Sequence, residues 1–125
     1  MMKIKSLILA TAATLVMAPT MALAKDNHQH NSIQYNGPVD VVTVESLLQD
    51  TGHFVEKDVV VEGHLLRQIR HDEFVFSDGK AEIQVELDDD IHLTQPLDAS
   101  TKVRLYGEYE GGNTPEIEVD HIQIL

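Results

Sequence analysis

The chain has 125 residues, 9 basic and 21 acidic side chains, a net charge of −12 at neutral pH, and no cysteine. That charge disfavours nucleic acid and anionic lipid as partners and suits cationic peptides, metal ions or basic protein patches. The missing thiols exclude disulfides, thiol redox chemistry and cysteine-ligated metal, so one small domain must be held by packing alone.

Residues 1–24 read as a secretory leader. Lys3 and Lys5 precede an uncharged run from Leu7 to Met21, and Ala22-Leu23-Ala24 supplies small residues for cleavage before Lys25. The run is short of the roughly 20 apolar residues of a spanning helix, so no membrane insertion is expected after processing. Periplasmic export follows from this reading. Without Lys3 and Lys5, seven of the nine basic residues face 21 acidic ones, a net charge of −14. Residues 25–34 are polar, lack apolar periodicity and read as a disordered arm.

Residues 35–125 read as the folded domain. Asn36-Gly37-Pro38 is a turn, and Thr43 caps a short helix in which Val44, Leu47 and Leu48 share a face. A long strand follows over Lys57–Ile69, with Val59, Val61, Gly63 and Leu65 on one side and a bend expected at Gly63. Phe74 to Leu87 alternates apolar and polar positions around Asp78-Gly79, the pattern of a β-hairpin with an acidic outer face. Its outward positions are Glu73, Val75, Glu82, Gln84 and Glu86. Asp88-Asp89-Asp90 ends that strand, and residues 91–100, with Pro96, form a connection.

Lys102–Glu108 and Glu116–Leu125 are the last two strands. In the final one the apolar positions change phase, from Ile117 and Val119 to Ile122 and Ile124, which predicts a β-bulge at Asp120-His121. The whole is mainly β: five strands, the first long and bent, suit a Greek-key OB-fold barrel preceded by a short N-terminal helix.

Five segments also resemble a known family in order and spacing. They are Tyr35-Asn-Gly-Pro38, Val59-Val-Val-Glu-Gly63, Phe74-Val-Phe-Ser-Asp78-Gly79, Val103-Arg-Leu-Tyr-Gly107-Glu108 and Ile117-Glu-Val119. Together they resemble the bacterial OB-fold (BOF) family, the YgiW/YdeI-type periplasmic proteins linked to stress tolerance. The resemblance implies an exported five-stranded barrel with no assigned enzymatic activity and no cofactor. Ile91-His-Leu-Thr94 stands where relatives carry a Trp-x-Gly, and Gly107-Glu-Tyr-Glu-Gly111 lacks their Lys.

The chemistry points to binding. Glu73, Glu82, Gln84 and Glu86 form a candidate face for a cationic small molecule, a cationic peptide or an envelope protein. The competing explanation is a solvated strand face that discourages edge pairing. Carboxylates and a lack of stacking aromatics there argue against nucleic acid. A second candidate is divalent-metal binding by His28 and His30 with Asp88 and Asp90, since imidazoles take borderline transition metals and clustered oxygens take hard cations. Ser77-Asp78-Gly79 is a turn with no helix after it, so it is not a nucleophile elbow, and no enzyme is expected.

Overall fold

The computed structural model describes residues 33–125. The leader, the polar arm and the His28/His30 pair lie outside the described residues.

Helix α1 spans Val44–Leu48, and the strands are β1 (Glu56–Gln68), β2 (Glu73–Ser77), β3 (Glu82–Leu87), β4 (Lys102–Glu110) and β5 (Glu116–Ile124). They close into a barrel in the order β1-β2-β3-β5-β4, with β3 and β5 parallel and every other pair antiparallel. This is the OB-fold barrel expected from the alternation, and the strand ends agree to within one or two residues.

The barrel interior is filled from every strand. Val61, Phe76, Val85, Leu105, Tyr109, Ile117 and Val119 are all buried. Burying each such side chain contributes about 1.5–3 kcal/mol, which is how a small chain without disulfides holds together. Tyr109 brings a hydroxyl into the core and satisfies it by donating to the Asp50 carbonyl at 2.9 Å.

α1 is a single short turn of helix that stands by its contacts. The Thr43 hydroxyl accepts from the Ser46 N–H at 3.2 Å, and Val44 and Leu47 are buried. Asp78, in the β2–β3 turn, accepts from the Val44 N–H at 2.9 Å and from the N–H groups of Lys80 and Ala81. Burial pushes this carboxyl upward, but those N–H donors outweigh it and hold the group below the ordinary Asp value. One side chain thus shapes the hairpin turn and fixes the helix start.

Two close approaches need glycine. Gly63 lies where β1 passes from β4 to β2, and a Cβ there would sit 2.0 Å from the Ser77 carbonyl oxygen. Gly107 faces the irregularity in β5, where a Cβ would sit 2.1 Å from the Glu118 carbonyl oxygen. The register there steps from Tyr106↔His121 to Gly107↔Val119, leaving Asp120 as the extra residue. That is the bulge predicted from the phase change.

Val75 keeps the outward side, paired with Gln84 on β3, and is nevertheless buried. A second bulge lies beside it on β1: Leu65 pairs with Phe76 and Arg67 with Val75, so Leu66 is an extra residue.

Candidate functional site

Outward-facing residues of neighbouring strands meet in register, and on one side of the barrel they are almost all carboxylates. One row runs Glu73, Glu86, Glu118, Glu108, Asp58 across β2, β3, β5, β4 and β1, each residue paired with the next. Two residues along, a second row runs Gln84, Glu116, Glu110, Glu56 across β3, β5, β4 and β1. Adjacent strands are about 4.8 Å apart, so like charges stand side by side around the barrel. Such pairs are destabilising.

The side chains gather accordingly. Carboxylate oxygens lie within 4.8 Å of one another in the groups Glu73/Glu86/Glu116, Glu110/Glu116/Glu118 and Glu56/Glu108/Glu110. Gln84 sits among them, its Nε2 donating to Glu73 Oε2 at 3.2 Å and to Glu116 Oε2 at 3.1 Å. Partial burial first, and neighbouring carboxylates second, raise the pKa of Glu116 above the ordinary Glu value. The same two causes, in the same order, raise Glu108 and Glu110.

Beside the first row lies a hollow of about 390 Å³ lined by Asp72, Glu86, Asp88, Asp89, Glu108, Glu118 and Asp120, with Leu87 and Val119. The Asp120 bulge delivers one carboxylate to this hollow, and the end of β3 delivers others. Oxygen ligands of this number suit hard cations or ammonium and guanidinium groups, which need acceptors only.

The residues expected from sequence are placed as follows. Glu73, Gln84 and Glu86 come together at the start of the two rows. Glu82 does not join them; it pairs with Ser77 at the far end of the hairpin and is exposed. Asp88 accepts from the Asp90 N–H at 3.0 Å and shapes the turn after β3. Asp88 lines the hollow, Asp90 does not, and among the described residues neither joins a close ligand group. Asp89 does, with His71 and Asp72. Sequence reasoning missed Glu56, Asp58, Glu108, Glu110, Glu116 and Glu118. The available signal was Glu or Asp at i and i+2 in β1, β4 and β5, the period of two on which Glu82, Gln84 and Glu86 also lie in β3.

The family model described as "Bacterial OB fold (BOF) protein" matches residues 20–124. The chain belongs to this family. It is 25% identical over 120 residues to a Haemophilus influenzae protein described as uncharacterized, covering 96% of each chain. It is also 25% identical over 125 residues to the calcium-regulated OB-fold protein CarO of Pseudomonas aeruginosa, covering 99% of each. The solved structure of the hypothetical protein ygiW from E. coli superposes with a TM-score of 0.62 at 26% identity, covering 74% of this chain and 99% of that one.

Proposed function

We propose that this BOF protein is a periplasmic, non-catalytic binding module that contributes to envelope stress tolerance by engaging a cationic ligand or a basic patch of an envelope protein. The observation that carries the reading is the row Glu73–Glu86–Glu118–Glu108–Asp58, in which every position on five consecutive strands is a carboxylate. Solubility alone calls for dispersed charge, whereas directly paired like charges cost stability that a bound cation returns. Export rests on the expected leader, and the stress role on the family resemblance.

Isothermal calorimetry with an oligolysine peptide tests the reading on wild type and on Glu108→Gln/Glu118→Gln. Removing two of five carboxylates at about 0–1 kcal/mol each predicts roughly tenfold weaker binding. Equal binding by the two proteins would sink the proposal for this face.

A second reading has its own support: the bound cation is a hard divalent ion. The close groups on the rows consist of carboxylate oxygens alone, and one relative is described as calcium-regulated. CaCl2 in place of oligolysine tests it, with MgCl2 as the comparison. Histidines of the arm have no part in this version, so His28→Ala/His30→Ala should bind Ca²⁺ as wild type does.

A further inference from the structure

Charge reverses at the β1–β2 turn. Residues 66–71, Leu-Arg-Gln-Ile-Arg-His, are exposed without interruption. Leu66 and Ile69 leave 38% and 47% of their surface open. Lys57 and Arg104 are committed to Asp50 and Glu62 at 3.0 and 2.7 Å. Arg67 forms no ion pair among the described residues, and Arg70 reaches Glu73 only at 3.6 Å with its side chain 72% exposed. The chain therefore carries an apolar, basic finger that adjoins a hollow lined by carboxylates, with Asp72, the next residue after the finger, in its wall.

We infer that the finger docks into the hollow of a second copy of this chain, with Arg67 and Arg70 among Glu86, Glu108, Glu118 and Asp120 and with Leu66 and Ile69 covering the rim. The inference rests on the reading that the hollow accepts positive charge. Guanidinium forks match carboxylates in geometry as well as sign. A hollow of about 390 Å³ has room for whole side chains, since a water takes up only roughly 30 Å³. A flat anionic membrane suits the finger less well, because Asp72 and Glu73 follow it directly and Glu73 pairs with Glu86.

Finger and hollow adjoin, so two copies exchange fingers about a two-fold axis and the contact closes as a dimer. A contact built on six residues belongs with small, transient interfaces, under about 1,200 Å² in total. Net charge opposes the approach of two copies. At 0.15 M salt, however, charges beyond about 8 Å are screened while ion pairs in contact persist.

Sedimentation velocity at that ionic strength tests the inference. The wild-type sedimentation coefficient should rise with protein concentration. Arg67→Glu/Arg70→Glu and Glu108→Lys/Glu118→Lys should each stay monomeric over the same range, with circular dichroism confirming that both fold. A wild type that is monomeric throughout, or either variant that still associates as wild type does, would overturn the inference. So would binding to phosphatidylglycerol vesicles that needs Arg67 and Arg70 in a protein that does not self-associate. Oligolysine binding by a strictly monomeric wild type would defeat this inference alone. Self-association without oligolysine or Ca²⁺ binding would instead defeat the proposed ligand and leave the docking contact standing.

Discussion

Replacing Glu116 by Gln should make the protein more stable, and the size of the gain follows from its neighbours. Glu116 has carboxylate oxygens of Glu73, Glu86, Glu110 and Glu118 within 4.8 Å. Two unit charges at that distance in water repel by about 0.9 kcal/mol, and physiological salt removes about half of it. Four such pairs sum to about 2 kcal/mol as an upper bound, because exposed side chains swing apart. The amide oxygen of Gln still accepts from Gln84, but as a neutral acceptor it forgoes about 0.5 kcal/mol of the charge-assisted bond. A net gain of about 1 kcal/mol is expected, or about 4–8 °C in Tm for a domain of this size. Thermal melts at low and high salt provide the assay. An unchanged or lower Tm at low salt, or an equal gain at both salts, would refute the repulsion argument.

Stability should also respond to pH in two opposed ways. Glu108, Glu110 and Glu116 have folded pKa values raised above 4.5, so the stability they confer is complete below that value and is lost as pH rises through the raised ones. His121, whose Nε2 is buried without a partner among the described residues, is lowered by burial from 6.5; its contribution is present above that value and lost as pH falls through the lowered one. A His121→Gln variant should therefore show a Tm that only climbs on acidification to about pH 5, and a fall over that range would contradict the assignment. Gly63→Ala should lower stability by about 2–3 kcal/mol in urea melts, since the added methyl meets the Ser77 carbonyl rather than a yielding side chain. Single-stranded DNA should show no binding in a fluorescence titration at 0.15 M salt, because the rows repel phosphate.

The hairpin and the Asp120 bulge are legible in the sequence because polar and apolar residues alternate there, and a slip in phase leaves a visible trace. The Leu66 bulge leaves none. Leu65 and Leu66 are both apolar, so the extra residue is hidden. The carboxylate rows are half legible. β1, β4 and β5 each display acidic residues at i and i+2, but only the parallel β3–β5 register sets Glu86 beside Glu118, and only the antiparallel β5–β4 register sets Glu118 beside Glu108. Those registers are set by long-range closure of the barrel, and a local pattern does not contain them. Glu82 shows the converse. It shares the period of Glu86, yet β5 pairs with β3 only from Gln84 onward, so Glu82 has no acidic neighbour to join.

The central claim is that the acidic rows receive the cation, and amide shift mapping by two-dimensional NMR during an oligolysine titration tests it most directly. Perturbed amides should cluster at Asp58, Glu86, Glu108, Glu116 and Glu118, and the cluster should disappear in Glu108→Gln/Glu118→Gln. Shifts confined to residues 25–32, or spread evenly over the barrel, would contradict it.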